Sequence, residues 1–371
     1  MKIGIDGRAL MEKRTGIGTY TYEIIKSLNK IDDKNQYYIY SNKKIFIDFD
    51  LNNNFRICEY KSKIGTFWLY NKLPKILYKD DIEIFWGTQH CLPKRNKFTK
   101  KIKYILTIHD LAIFKFKNIG STYNTIIQYL FLKKSCKNAD KIVAISESTK
   151  DDLCNILNIS NDKIKMIYNG FTNSVNTQVS NDSIKAVLNK FNIKNRKYFF
   201  FLSTIEPRKN LLTAVKAFEQ FKKNYGTDTK FIISGGVGWK SEKIIKYINN
   251  SKYTKDIVMT GYISNVEKEV LYTNCITFLF PSLYEGFGLP ILEAFARKSL
   301  VITTSASSLP EIGGNAAYYI ENVYDYKLLS DKMFEVYSLS QKEKEKRIKL
   351  GLEQAKKFNW NDCANKLLKL F

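Results

Sequence analysis

The sequence holds only two histidines, His90 and His109, and its six cysteines (Cys58, Cys91, Cys136, Cys154, Cys275 and Cys363) lack paired spacing. A zinc site built from Cys/His pairs and a disulfide-stapled scaffold are both excluded, and reduced thiols are expected. No run approaches the roughly 20 apolar residues that cross a bilayer, and charge and glycine interrupt the opening Met1–Arg8 at once. The expectation is a soluble, unsecreted protein, cytoplasmic, with a peripheral place on the inner face of the cell membrane left open. Arginine is scarce, at eight positions, and carboxylates are outnumbered: 60 Lys+Arg stand against 36 Asp+Glu, a net charge of +24. With 44% hydrophobic and 14% aromatic residues, the chain is too apolar for a disordered basic tail. Such a charge attracts anions, whether nucleic acid, an acidic membrane surface or phosphorylated substrates.

At 371 residues the length suggests two domains. Short β-branched runs alternate with amphipathic helical stretches throughout, the pattern of parallel sheets covered by helices. Strands are expected at Lys2 to Asp6, Tyr37 to Tyr40, Ile82 to Trp86, Ile102 to His109, Lys141 to Ile145 and Ile164 to Tyr168. A polar stretch, Thr172 to Asp182, reads as a linker. A second alternation follows, with strands at Tyr198 to Ser203, Lys230 to Ser234, Asp256 to Thr260, Thr277 to Phe280 and Leu300 to Thr303. Two successive α/β domains facing a cleft are the economical reading, and ligands in such sheets bind beyond the carboxyl ends of strands. No repeat at a solenoid period is present.

Several familiar signatures fail. Gly16-Ile17-Gly18 follows the first strand, but the third glycine of a dinucleotide fingerprint would fall on Thr21. Gly235 to Ser241 ends like a phosphate loop, yet Trp239 stands where glycine is required before the lysine. Asp48-Phe49-Asp50 has a metal-holding D-x-D form, though an acidic turn explains three residues as well.

The strongest segment is Phe280 to Ala294. It leaves an apolar strand, turns through Gly286 and Gly288, and enters a helix with Pro290 in its first turn. The amides of Phe287, Gly288 and Leu289 are expected at the positive helix end, a ready phosphate site. Two carboxylates flank it, Glu285 and Glu293, and a carboxylate beside phosphate fits best where it bonds sugar or ribose hydroxyls. A second element, Glu206-Pro207-Arg208-Lys209-Asn210, puts a scarce arginine beside a lysine between strand and helix, suited to holding a diphosphate. The plainer alternative for Arg208 is an ion pair with Glu206. In the first half, Thr107-Ile108-His109-Asp110 ends a strand, so His109 is expected to contact a ligand, while His90 is expected to pack structurally.

In this order these segments resemble family 4 of the GT-B glycosyltransferases, a retaining group with two Rossmann-like domains facing a central cleft, exemplified by bacterial mannosyltransferases of surface polysaccharide assembly. The resemblance implies domains at 1–178 and 179–357, with residues 358–371 as a helix crossing back to the first. It implies diphosphate contacts from Arg208 and Lys209, a ribose contact from Glu293, and Glu285 beside the donor sugar. Phe287, Gly288 and Leu289 would be the backbone cradle, Gly16 and Gly18 a first-domain loop near the phosphate, and His109 a neighbour of the transferred sugar. The base would lie among Gly235, Gly236, Tyr262 and Ile263, and the acceptor among Arg8, Asp110 and Phe114. One departure stands out, since many members carry an arginine where this chain has Ser203-Thr204.

The implied donor is GDP-mannose, with UDP- or dTDP-sugars as alternatives, and no metal or other cofactor is expected. The implied acceptor is a glycan or a polyprenyl-diphosphate-linked glycan. The apolar and basic stretch Leu111 to Lys117 and the lysines Lys133, Lys134 and Lys137 suit an anionic membrane surface, or else are ordinary core residues beside solvated lysines. A nucleic-acid-binding protein is the rival class, disfavoured because carboxylates sit in the phosphate turns.

Overall fold

The computed structural model describes residues 1–116, 122–172 and 179–371, with the side chains of 122–128 excepted. Lys117 and the interior of the expected linker lie outside the described residues. The linker's last residues do not read as expected, because Asn181–Lys190 is a helix whose first turn is capped by the Ser180 hydroxyl.

The chain divides into two compact units, Met1–Gly170 with Phe358–Phe371, and Phe171–Lys357. The first unit holds seven strands: β1 Lys2–Asp6, β2 Gln36–Ser41, β3 Phe55–Glu59, β4 Ile84–Gly87, β5 Lys103–Ile108, β6 Lys141–Ala144 and β7 Ile164–Met166. Their order is β3-β2-β1-β4-β5-β6-β7, and every neighbouring pair is parallel, with Ile3 set between Tyr37 and Ile84. The central strands are buried on both faces, as helix-covered parallel sheets must be. One face packs against Leu73, Leu77, Leu132, Cys136, Leu153 and Leu157 of three helices. The other is covered by Gly16–Ile31 and by the last helix, Trp360–Leu368, through Tyr20, Ile24, Trp360 and Leu367.

The second unit holds β8 Tyr198–Leu202, β9 Lys230–Ser234, β10 Ile257–Gly261, β11 Thr277–Phe280, β12 Val301–Thr304 and β13 Tyr318–Ile320. These are again all parallel, in the order β10-β9-β8-β11-β12-β13. In each unit the first strand lies centrally and the winding reverses beside it, between β1 and β4 and between β8 and β11. Loops leaving those neighbours diverge, which opens a crevice at the carboxyl edge of each sheet.

Candidate active site

In the second unit the residues singled out from the sequence gather at that reversal. β8 runs into Ser203–Glu206 and a single tight turn, Pro207–Lys209, while β11 runs into the Gly286–Gly288 turn. Because β8 and β11 are adjacent, residues 76 or more positions apart in sequence become neighbours. Glu285 is buried and accepts from both cations, with Lys209 Nζ 2.6 Å from Oε1 and Arg208 Nη1 2.9 Å from Oε2. Burial alone would raise the Glu285 pKa; the Lys209 ammonium and the Arg208 guanidinium reverse that and hold it below the ordinary glutamate value. Arg208 also donates to the Tyr284 carbonyl at 2.9 Å and to Glu206 Oε1 at 3.0 Å. The Glu206 pairing weighed as the plain alternative is therefore present, and the same guanidinium reaches Glu285 with a different nitrogen.

Glu206 does a second thing that the sequence did not disclose. Its Oε2 accepts from Trp239 Nε1 at 3.0 Å, tying the Arg208 turn to the loop after β9. Ile205 and Gly236 and then Gly238 and Ile205 bond through their backbones, so the two loops zip together. Gly235 has φ +127°, and a Cβ there would sit 2.0 Å from the Ser203 carbonyl oxygen; one at Gly236 would meet the Tyr262 hydroxyl at 2.4 Å. The expected base-binding residues Gly235, Gly236 and Tyr262 are thus together, with Ile263 following Tyr262 in the chain. Tyr262 is 89% exposed, a flat ring at the edge of these loops.

The Leu289–Ala296 helix starts after Gly288, whose φ of +118° suits glycine. The N–H groups of Gly288 and Leu289 stand at this end, where a helix's first donors have no acceptor within the helix. Phe287 is buried, and its carbonyl and that of Glu285 accept from the Ser308 hydroxyl at 2.7 and 2.9 Å, while Ser307 Oγ accepts the Glu285 N–H at 2.8 Å. Ser307 and Ser308 therefore shape the turn, and their only sequence signal was a serine cluster after a buried strand. Glu293 projects one helical turn onward, paired with Lys268 and accepting from Tyr272 Oη at 3.3 Å; its side chain is 26% exposed, so it is reachable from solvent.

In the first unit, His109 directly follows β5 and is buried. Its Nε2 lies 2.8 Å from the Thr88 carbonyl; a carbonyl cannot donate, so Nε2 carries the proton and Nδ1 is the acceptor. Burial and the neighbouring His90 lower its pKa to about 3. The Tyr20 ring meets it edge-on, 4.9 Å between centroids. His90 packs as expected but with a specific duty, since its Nε2 accepts the His109 backbone N–H at 3.0 Å. Gly16 proves to be the first residue of the Gly16–Ile31 helix, so the glycine-rich segment is a helix's opening turn and not a separate loop. Gly18 is buried there, and a Cβ would meet the Ala9 carbonyl oxygen at 2.6 Å.

The expected acceptor residues have structural work of their own. Arg8 makes a bidentate pair with buried Asp6, Nε to Oδ1 at 2.8 Å and Nη2 to Oδ2 at 2.7 Å. Asp110 Oδ1 accepts from the Ala112 N–H at 3.0 Å, closing a turn, and the Phe114 ring lies tilted against Tyr129, 4.4 Å between centroids. Of the D-x-D pair, Asp48 accepts from Tyr22 and lies 3.7 Å from Arg14.

Comparison with known proteins fixes what these two units are. Residues 14–173 match the family described as Glycosyltransferase Family 4, and residues 183–356 match Glycosyl transferases group 1. The chain belongs to the family 4 glycosyltransferases. O-antigen chain mannosyltransferase B of Escherichia coli is 26% identical over 295 residues, covering 79% of this glycosyltransferase and 74% of that one. The serotype-specific mannosyltransferase WbdA of the same species is 26% identical over 235 residues, 62% of this chain, which spans only 28% of that relative. A glycosyltransferase from Rickettsia africae superposes with a TM-score of 0.72 at 20% identity, over 100% of this chain and 97% of its own. HepE of Anabaena, solved with UDP and glucose, superposes at 0.69 with 13% identity over 100% and 98%. The fold is GT-B, a pair of Rossmann-like units in one chain.

Proposed function

We propose that this glycosyltransferase moves mannose from GDP-mannose, with retention of configuration, to a lipid-linked glycan in the assembly of a bacterial surface polysaccharide. The observation that carries the reading is the pairing of Arg208 and Lys209 with buried Glu285 beside the Leu289–Ala296 helix start. It brings together two kinds of partner that a nucleotide sugar requires, cationic and amide donors for a diphosphate and a carboxylate for sugar hydroxyls. Lys209 carries three donors and gives one to Glu285, so it can hold the carboxylate and a phosphate oxygen at once. The amides of Gly288 and Leu289 with Arg208 and Lys209 then stabilise the departing diphosphate without a metal. Glu293, on the solvent side of the same helix, is assigned to the ribose, and the zipped loops at Gly235, Gly236, Tyr262 and Ile263 to the base.

On the first unit, His109 offers Nδ1 as an acceptor to a sugar hydroxyl. A ring that stays neutral orients a hydroxyl and does not donate a proton. The reaction is read as a front-face substitution through an oxocarbenium-like state, in which the released phosphate takes up the acceptor's proton. Glu285, already paired with two cations, is unsuited to the nucleophile role a retaining glycosidase would give it.

The choice of mannose draws on the names of the curated relatives. A UDP-sugar is the second reading, favoured by the HepE structure with UDP and glucose. A donor screen reading nucleoside diphosphate release in the presence of chelator decides between them. Release from GDP-mannose is expected; turnover of a UDP-sugar without GDP-mannose overturns the mannosyl assignment, and activity abolished by chelation overturns metal independence.

A further inference from the structure

The two histidines of the chain meet at one place in the first unit, although they lie in different segments of sequence. His90 falls in the loop just past β4, and His109 directly follows β5, the strand paired with it. Parallel pairing brings both to the carboxyl edge of the sheet, where their ring centroids are 5.5 Å apart. Two bonds then join the loops. The His109 ring gives its Nε2 proton to the Thr88 carbonyl at 2.8 Å, and the His109 backbone N–H goes to His90 Nε2 at 3.0 Å. Side chain and main chain of one residue are thus gripped by the same short loop.

That loop is itself anchored. Thr88 Oγ1 donates to the Asp6 carbonyl at 2.7 Å, at the end of β1, and the Asp6 carboxylate is locked by Arg8. His90 has φ +32°, a backbone region uncommon for any residue but glycine. The unusual conformation falls on the residue whose ring reaches across to His109, as expected where a loop is shaped to deliver one contact.

The contact also demands a particular proton arrangement. An amide N–H only donates, so His90 Nε2 presents its lone pair and the proton of the neutral ring sits on Nδ1. His109, with Nε2 protonated, holds the opposite tautomer. Burial lowers the His90 pKa against the attraction of Asp110, which keeps that lone pair available at neutral pH. An apolar side chain could fill the same space, but it would take the acceptor from the His109 N–H. Packing alone has no use for one tautomer.

We propose that His90 is a positioning residue for sugar transfer: its Nε2 fixes the His109 main chain so that, with the ring held on the Thr88 carbonyl, Nδ1 of His109 keeps a single orientation. The proposal rests on the placement of His109 beside the transferred sugar and adds the residue that holds it there. Misplacing a reacting group by about 1 Å can cost roughly 100-fold in rate, so a bond to the main chain of His109 bears directly on turnover.

The experiment compares His90→Leu, His90→Gln, His109→Ala and the His90→Leu, His109→Ala double variant of the full chain, each checked by thermal melting. His90→Leu should lower kcat roughly 10- to 100-fold and leave KM for the nucleotide sugar within about twofold, because the nucleotide is assigned to the second unit. His90→Gln, whose amide oxygen can accept the same N–H, should restore most of that loss. In the His109→Ala background His90→Leu should cost nothing further, since the ring it positions is gone. With no donor present, nitrogen-detected NMR at neutral pH should show His90 as the Nδ1–H tautomer, and the His109 amide should exchange faster in His90→Leu than in wild type or His90→Gln. Full kcat in His90→Leu, an undiminished further loss in the His109→Ala background, or an Nε2–H tautomer at His90 overturns the proposal; should His90→Leu fail to fold, the wild-type tautomer and His90→Gln decide it. An impaired His109→Ala with a fully active His90→Leu sinks the positioning role alone, whereas a fully active His109→Ala sinks the reading of His109 and the proposal with it.

Discussion

His109 and Glu285 are both buried, and their surroundings treat charge in opposite ways. Around His109, burial and His90 disfavour protonation, and its pKa of about 3 lies below the ordinary 6.5. The unfolded chain therefore takes up this proton first on acidification, and the stability tied to the neutral ring is complete above pH 6.5 and is lost as pH falls toward 3. Nitrogen-detected NMR of the imidazole should show a neutral Nε2–H tautomer from pH 5 to 8; a titration near 6.5 would contradict the assignment. Glu285, in contrast, is held ionised by Lys209 and Arg208. Its depressed pKa contributes stability above the ordinary 4.5 that disappears as pH falls through the folded value. Glu285→Gln takes from Lys209 its carboxylate partner and leaves Arg208 with Glu206 alone, which should cost about 3 kcal/mol in urea unfolding and reduce kcat by roughly 100-fold or more. Full activity in Glu285→Gln would remove the carboxylate from the mechanism.

Elements show where local sequence sufficed and where it did not. Lys230–Ser234 and Thr277–Phe280 were legible because strands buried on both faces read as unbroken apolar runs. β3 was missed since it is an edge strand, with Arg56 and Ile57 facing water, and its composition differs little from a loop. The site divides likewise. The Gly286–Leu289 turn and the Arg208 turn could be read from glycine, proline and arginine punctuation. The pairing of Glu285 with both cations could not, because it depends on β8 lying beside β11, a fact of topology and not of spacing. Trp239 reaching Glu206 across the zipped loops is a further case. Gly235 in those loops and Gly226 at the end of the Leu211–Tyr225 helix make a sharp comparison. Alanine at Gly235 would meet the Ser203 carbonyl at 2.0 Å on top of a φ of +127°, whereas at Gly226, φ +57°, it would meet nothing within 4 Å. Gly226→Ala should cost about 1 kcal/mol, the left-handed backbone penalty alone, and Gly235→Ala more than about 2 kcal/mol. Equal costs by denaturant titration would show that the loop yields.

Taken as a whole, the molecule uses its +24 unevenly: Arg208 and Lys209 are balanced by carboxylates, and half the excess lies in residues 60–139. The two units are also unequal in how they are built. Trp360 is 6% exposed, lies 6.0 Å from Tyr20 and backs onto Gly170, where a Cβ would fall 2.3 Å from the Trp360 nitrogen. Trp360→Ala should cost about 3–5 kcal/mol and raise hydrogen exchange across residues 1–170, with residues 179–357 unaffected; a uniform rise would mean the units unfold as one. Because Phe358–Phe371 belongs to the first unit, synthesis order and assembly order diverge. The second unit is fully translated before the first has received its covering helix, so the first-made sheet keeps part of one apolar face open until residues 358–371 have been made. A stop anywhere within residues 358–371 would therefore damage the unit formed by residues 1–170, which lies on the far side of the whole second unit in sequence.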